Sequence, residues 1–431
     1  MKYSFAELFD LLRTPVGRRV FWSGVTYRAW PLLELAATLH RRIRLRQTCL
    51  VAVVGSFGKS TTARATLAAL GEDPSRLTGA NAWSQIALAI LRMKAKDLYG
   101  VVEVGIDRPG QMERYAPMVR PDLVIVTTVG SEHNRSLGTL ESTRHEKAHM
   151  VRRLGKDAIA VLNGDDPNVA WMRSQTQARV VTFGQSPDND VVLSEIRLAW
   201  PMGMSFRVRV GTEEQDVTVQ LLGLPMVYAA GAALAAAWAL GHPLDRVGER
   251  LAGLSPTTGR LEKVELGNDV VMIRDEFKSS LETVDAALDL LAAIPARRKL
   301  IVMGEISEPP GSQGPIYRRI GERMAEIASL LVVIGGNFQR FAAGARRGGI
   351  SGEAIIDAKR SISDAVGVIE TALQPGDVVL IKGRDTQKLD RVALSLMGTE
   401  CKCEIAFCEA KVRCAACPML DRGWGDRKVV T

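Results

Sequence analysis

Seven consecutive residues constrain this chain more than any other feature. Gly55-Ser56-Phe57-Gly58-Lys59-Ser60-Thr61 follow a continuous apolar run, CLVAVV at 49–54, and precede a helical pattern that continues through Leu70 and ends at Gly71. Strand, glycine-bearing turn and helix in that order make an anion cradle: the glycines let the backbone wrap the anion, and amides of the first helical turn point at it. Lys59 brings positive charge to the outer phosphates of a nucleotide, and Ser60 or Thr61 offers a hydroxyl to Mg²⁺. The longer pattern G-x-x-x-x-G-K is not met, because Val53 stands at its first glycine; the shorter G-x-x-G-K-S begins at Gly55. Gly55, Ser56, Gly58, Lys59, Ser60 and Thr61 are therefore expected to bind phosphate, against the plainer alternative of a helix-capping turn.

The α/β rhythm continues along the chain. Apolar runs at Val101–Val104, Leu123–Thr127 and Ala158–Leu162 are separated by longer helical patterns, as parallel strands with crossovers require. Residues 180–222 differ, with short alternating runs such as Ser205–Val210 and Asp216–Leu221 that predict an antiparallel meander. A Pro-Thr-Thr-Gly turn within Ser255–Arg260 marks a boundary, beyond which strands are expected at Leu300–Met303, Leu331–Ile334 and Val378–Ile381. The expected class is α/β. A basic aromatic helical arm (1–46) precedes a P-loop-type central ATP-binding domain with a mostly parallel sheet (47–255), a smaller Rossmann-like C-terminal domain (256–398) and a Cys-rich tail (399–431).

Composition sets the outer bounds. A chain of 431 residues, 46% hydrophobic and 24% charged, has room for two or three cores and is not a disordered, collagenous or disulfide-stapled chain. The longest apolar stretch, Ala229–Leu240, is shorter than the roughly 18 residues of a spanning helix and reads as a buried helix. The first residues carry Glu7 and Asp10 and lack a signal-peptide layout, so a cytoplasmic location is expected. The net charge of +8 is concentrated: residues 1–46 hold nine Lys/Arg against three acids, with Phe21, Trp22, Tyr27, Trp30, Leu32, Leu33, Leu35 and Leu39 among them. That composition suits peripheral contact with a membrane or an acidic partner, or else an arm packed on its own protein. No nucleic-acid motif accompanies the sequence pI of 9.2, and no nucleic-acid partner is expected.

GSFGKST, then VVEVGIDRPGQME, the segment from Val129 to Met150, and VLNGDDP are similar in order and spacing to the ATP-binding domain of the Mur ligases. Later segments, VMGEISEPPG (Val302–Gly311) and GDVVLIKGR (Gly376–Arg384), resemble the D-alanyl-D-alanine-adding branch of that family, and the likeness spans about residues 48–395. The resemblance implies that ATP phosphorylates a carboxylate and that an amine then attacks the acyl phosphate to give an amide. It implies ATP and Mg²⁺ as cofactors, with a small amino acid or peptide and a carboxylate acceptor as partners. Lys59, His133, Lys147 and Lys278 become the catalytic candidates. Glu103 at a strand end joins Ser60 as a metal ligand, His133 falls at a metal-binding histidine, and Lys147 falls where many members carry a carbamylated lysine. An unmodified ammonium would repel Mg²⁺; the carbamate is an anionic oxygen ligand. Asn163, in the Asn-Gly-Asp-Asp turn, and Arg260 fall where the family contacts nucleotide. Asp275-Glu276-Phe277-Lys278 resembles the region that meets nucleotide from the C-terminal domain, with either Asp275 or Glu276 in the acidic role and Lys278 near the acyl phosphate. Lys382 and Arg384 match a turn near the incoming amine.

Three departures bear on the substrate. The family's domain for the uridine diphosphate end of its acceptor does not stand before the loop at Gly55, so a lipid-linked, polymeric or otherwise unusual carboxylate is expected. Pro225, Met226 and Ala229 replace the His, Asn and Asn of G-x-H-N-x-x-N, so adenine recognition must differ; this favours the alternative of a non-catalytic ATP-binding partner subunit. The tail adds Cys401, Cys403, Cys408, Cys414 and Cys417, enough thiolates for a structural Zn²⁺, with an iron–sulfur or redox role or unligated thiols as alternatives. A remote reading comes from His145-Glu146-Lys147-Ala148-His149, which fits the zinc-peptidase pattern H-E-x-x-H but leaves the phosphate loop unexplained.

Overall fold

A computed structural model describes residues 12–77, 81–131, 134–309, 311–410, 412–425 and 427–430. The chain forms two compact units: residues 26–256, and residues 257–431 together with 1–25. Helix α1 (Pro15–Arg28) includes residues of both units.

The central unit is built on eight strands, β1 (Cys49–Val54), β2 (Tyr99–Val104), β3 (Leu123–Val126), β4 (Ile159–Asn163), β5 (Arg179–Gly184), β6 (Val191–Ala199), β7 (Gly203–Val210) and β8 (Glu213–Val219). Their order is β2-β1-β3-β4-β5-β6-β7-β8. Pairing is parallel from β2 through β6 and antiparallel from β6 to β8. The inner strands are buried on both faces and so read as unbroken Val/Ile/Leu runs, whereas β7 alternates buried and half-buried positions, as the expected meander requires. β5 falls within the stretch expected as an antiparallel meander but pairs parallel with both β4 and β6, so the meander begins only at β6. β1 lies between β2 and β3, so the chain reverses its direction of sheet growth there, where ligands of such sheets collect.

Helices α2 (Trp30–Ile43), α3 (Lys59–Ala69), α4 (Ser84–Arg92), α5 (Gln111–Val119), α6 (Leu140–Arg152), α7 (Leu224–Ala239) and α8 (Leu244–Ala252) belong to this unit. Ala229–Leu240 is the buried helix expected: α7 is alanine-rich because it packs tightly, and a Cβ on its Gly231 would come within 2.5 Å of Leu193. Trp30, Trp83 and Tyr115 meet edge to face at 5.7–6.0 Å and fasten α2 to the core that contains Ile86 and Ile90. None of the described helices is long and apolar enough to cross a membrane.

The C-terminal unit holds a six-stranded sheet of β9 (Glu262–Gly267), β10 (Val270–Asp275), β11 (Arg298–Met303), β12 (Leu330–Val333), β13 (Ile355–Asp357) and β14 (Asp377–Lys382), in the order β13-β12-β11-β14-β10-β9. Every pairing is parallel except the β9–β10 hairpin. Helices α9 (Leu281–Ala293), α10 (Gln313–Ile327), α11 (Phe338–Arg347), α12 (Ile362–Ala372) and α13 (Asp390–Leu396) complete it. The hairpin escapes sequence reading because β9, EKVELG, is an exposed edge with no apolar run; its signal is Asn268-Asp269, both at positive φ in a two-residue turn.

The tail is fastened by one buried cation. Arg391, in α13, donates to the carbonyls of Gln387 (3.2 Å), Lys388 (3.1 Å), Cys403 and Ile405 (2.6 Å). Asp390 beside it accepts from the Cys414 amide at 2.9 Å, and β15 (Phe407–Cys408) pairs with β16 (Val429–Val430). Arg391→Ala should strand those carbonyls and lower unfolding stability by about 3 kcal/mol. Urea titration should show the loss, and limited proteolysis should cut within 399–431 first.

Candidate functional site

The loop after β1 is folded against the end of β3. Gly58 takes φ 79°, a left-handed value that lets α3 begin at Lys59. Ser56 donates its amide to the Thr128 carbonyl (2.7 Å), and its hydroxyl accepts from the Gly130 amide (2.9 Å). Thr127 Oγ1 donates to the Phe57 carbonyl at 2.6 Å. Lys59 Nζ curls back over the loop to the carbonyls of Gly55 (2.8 Å) and Ser56 (3.0 Å). Thr61 is buried in the first turn of α3.

Glu103, near the end of β2, is buried, and its Oε2 accepts from Ser60 Oγ at 2.9 Å while Oε1 accepts from Asn81 Nδ2 at 2.6 Å. A carboxylate and a hydroxyl beside a phosphate-type loop are the hard oxygen donors that suit Mg²⁺, which takes one or two carboxylates and fills its remaining positions with water and phosphate oxygens. Lys147, on α6, is also buried, and its Nζ donates to the same Gly55 carbonyl at 3.1 Å. Burial first, and the charge of Lys59 second, push Lys147 well below the ordinary lysine range. His133 lies outside the described residues, as do the first eleven residues of the arm.

The turn after β4 positions the loop's support. Asn163 Nδ2 holds the Thr127 carbonyl (2.8 Å), and Asp166 Oδ2 accepts from Thr128 Oγ1 and the Val129 amide, both at 2.8 Å. Asn81 was missed in the sequence, because a short polar residue in a loop carries no distinguishing period, and Asp166 was read only as part of the turn that Asn163 opens. Burial works against the charge of Asp165, yet donors from Tyr228, Gln185, Ser186 and Asn189 more than offset it and hold its carboxyl low. Met226 and Ala229, at the family's asparagine positions, are buried apolar side chains of α7.

In the C-terminal unit, the acidic stretch forms an internal charge chain. Arg274 pairs with Glu276 (2.7 Å) and Glu262 (3.4 Å), and Asp275 pairs with Lys382 (2.7 Å). Burial raises Asp275 and lowers Lys382, and their mutual attraction opposes both shifts. Lys382, expected beside the amine, is instead sealed inside, donating also to the Lys278 carbonyl and to Thr283 Oγ1. Its strand residue faces down because β14 is buried throughout. Arg260 lies over the Phe277 ring at 4.8 Å and Arg413 over it at 4.1 Å, and Lys278 is half-buried nearby in sequence. Arg384 does reach a cavity of about 260 Å³, lined also by Glu305, Arg360, Gln387, Ala406 and Phe407. Glu305 accepts from the Gly336 amide (2.7 Å), Tyr317 (3.2 Å) and Asn337, and its carboxylate shares the wall with the guanidiniums of Arg360, Arg384 and Arg391.

Two zinc expectations are corrected. Cys401 and Cys414 pack in one apolar cluster with Leu394 and Leu420, and Cys403, Cys408 and Cys417 in another with Ile405 and Met419. Burial raises the thiols of Cys401, Cys408, Cys414 and Cys417. Among the described residues no three His, Cys, Asp or Glu side chains are arranged to hold a metal. The H-E-x-x-H reading fails likewise: Glu146 accepts from the Met112 amide (2.9 Å), and His145 packs edge-on against Trp171 (4.7 Å).

Residues 53–237 match the Mur ligase middle domain, and residues 259–384 match the Mur ligase glutamate ligase domain. The chain belongs to the Mur ligase family. It is 27% identical over 296 residues to the UDP-N-acetylmuramoyl-tripeptide--D-alanyl-D-alanine ligase of Escherichia coli, a match covering 67% of this chain and 64% of that one. The enzyme of the same name from Mycobacterium tuberculosis is 27% identical over 393 residues, 86% of this chain and 77% of that one. In fold it is similar to MurF from Acinetobacter baumannii, with TM-score 0.75, 22% identity, and 85% and 80% of the two chains covered. MurF from Thermotoga maritima, solved with ADP, gives TM-score 0.72 at 22% identity over 86% and 83%.

Burial pushes Glu276 up to about 7 from an ordinary 4.5, despite Arg274. The folded protein therefore binds a proton that the unfolded chain releases between those values. Stability from this group is full below about pH 4.5, declines by at most about 1.4 kcal/mol per pH unit, and is flat above about pH 7. Glu276→Gln should remove that decline in urea midpoints measured across the interval.

Proposed function

We propose that this protein is a MurF-like, ATP-dependent, ADP-forming ligase of cell-wall synthesis that joins a carboxylate to the amine of an amino acid or short peptide. The observation that carries this reading is the cluster at Gly55: the side-chain nitrogens of Lys59 and Lys147 on one carbonyl, with the Ser60–Glu103 pair beside the loop. The loop amides and Lys59 hold the phosphates of ATP. Ser60 and Glu103 would hold Mg²⁺, which would supply positive charge against the phosphate oxygens. The acceptor carboxylate oxygen attacks the γ-phosphorus and ADP leaves; the amine then attacks the acyl carbon, and inorganic phosphate leaves with loss of a proton. Lys147 serves as a carbamate: its depressed basicity favours the neutral amine, which takes up CO₂ and releases a proton. His133 completes the metal's ligands. Asn163, Arg260, Asp275, Glu276 and Lys278 act on the nucleotide and acyl phosphate, with Asp275 and Glu276 contributing through the charge chain they anchor.

The amine partner is proposed for the cavity at Arg384, whose guanidinium and that of Arg360 suit the carboxylate of an amino acid or peptide. A second reading, an ATP-binding partner subunit without turnover, is favoured by the apolar burial of Met226 and Ala229, which offer an adenine no polar group.

The test is phosphate release with ATP, Mg²⁺ and pooled amino acids and cell-wall peptides. Lys59→Ala and Lys147→Met should each reduce substrate-dependent release by about 10²–10³-fold. ATP binding without release under any pool would instead support the partner-subunit reading. Arg384→Ala should raise KM for the amine about tenfold, as loss of a charge-assisted hydrogen bond does, with KM for ATP unchanged; an unchanged amine KM would remove the amine from this cavity.

A further inference from the structure

We propose that α2 docks the protein along an anionic lipid surface. A helix on a soluble protein carries one apolar stripe, which faces the core, and α2 carries two. Trp30 and Ala37 are buried in the central core and Leu33 packs against it. On the other side Leu32, Leu35, Leu39 and Ile43 are 73%, 58%, 47% and 58% exposed. Their spacing of three and four residues puts them in one row, about 17 Å long at the helical rise. Tyr27, also exposed, stands just before the row.

Charge chooses the occupant. Arg28 precedes the helix, and Arg42, Arg44 and Arg46 crowd its end, all exposed. The helix has a single acid, Glu34, and Arg114 neutralises it through two hydrogen bonds of 2.6 and 2.9 Å. Among the described residues no carboxylate pairs with Arg28, Arg42, Arg44 or Arg46. An aliphatic ridge on a convex helix, flanked by arginines and an aromatic ring, is what an interfacial helix presents to anionic lipid: the ridge enters the acyl boundary and the guanidiniums stay among the headgroups. At 14 residues α2 is too short to span the bilayer. The inference is independent of the ligase reading, and nothing in its test depends on turnover.

The experiment is co-sedimentation of the full-length protein with phosphatidylglycerol-containing vesicles, set against pure phosphatidylcholine vesicles. The variants are Leu32→Ser/Leu39→Ser and Arg42→Gln/Arg46→Gln, which alter exposed side chains only, with near-ultraviolet circular dichroism of Trp30 and Trp83 confirming the fold. Wild type should partition at least about tenfold better onto the anionic vesicles and lose that preference at raised salt. Each double variant should bind about tenfold more weakly, the leucine pair at every salt concentration and the arginine pair mainly at low salt. Binding unaltered in the leucine variant overturns the proposal. So does absence of lipid binding by the wild type, including the case in which sedimentation equilibrium shows self-association that the leucine variant abolishes, since the ridge would then face a second copy.

Discussion

The approach of Gly55 to Thr127 is the constraint on which the phosphate loop depends. A Cβ at Gly55 would lie 1.9 Å from Thr127 Oγ1, so only glycine lets the end of β1 close on the end of β3. Once closed, Thr127 bonds the loop carbonyl of Phe57, Ser56 exchanges contacts with Gly130, and Asn163 and Asp166 brace Thr127, Thr128 and Val129 from β4. Strand ends and side chains thus fix the Gly55 carbonyl, and two lysines from different helices converge on it. Dipoles and charges set before a ligand arrives need no reorganisation when charge develops, and that is how such a loop acts on phosphate.

The C-terminal unit is organised by the opposite strategy, with charge taken out of water. Glu262, Arg274, Glu276, Asp275 and Lys382 occupy adjacent positions of β9, β10 and β14, where aliphatic side chains would pack at lower cost. Such a chain stabilises only when every partner is present, so it fixes the register of β10 against β14, Asp275 opposite Lys382, and punishes a slip by one residue. Lys382 is therefore a strut of the sheet, and Arg384 two residues later is the side chain that leaves it.

What could be read in the sequence follows from this contrast. The P-loop unit was legible because its strands are unbroken apolar runs and its loop is contiguous: Lys59, Ser60 and Glu103 lie where their neighbours predicted. The antiparallel meander showed in its alternation. Orientation was not legible. Lys-Gly-Arg after a strand reads as an exposed turn, and nothing in the string says that Lys382 points to Asp275. The five tail cysteines suggested a tetrahedron by spacing, yet their partition between two apolar clusters depends on how residues 401–420 wrap α13. Asn81 acts on Glu103 through one hydrogen bond and Asp166 on Thr128 and Val129 through two, and such bonds leave no periodic trace.

The tail carries that argument to the substrate. The family match ends at Arg384, but the cavity that Arg384 lines is closed by Ala406 and Phe407, with the guanidinium 5.9 Å from the phenyl ring. Those residues keep their place because Arg391 binds the carbonyls of Cys403 and Ile405 immediately before them. One part of the cavity's wall thus comes from a segment that lies after the end of that family match. In the proposed reaction, then, Arg360 and Arg384, inside the family match, would hold the amine's carboxylate, and Ala406 and Phe407, beyond it, would shape the space around them.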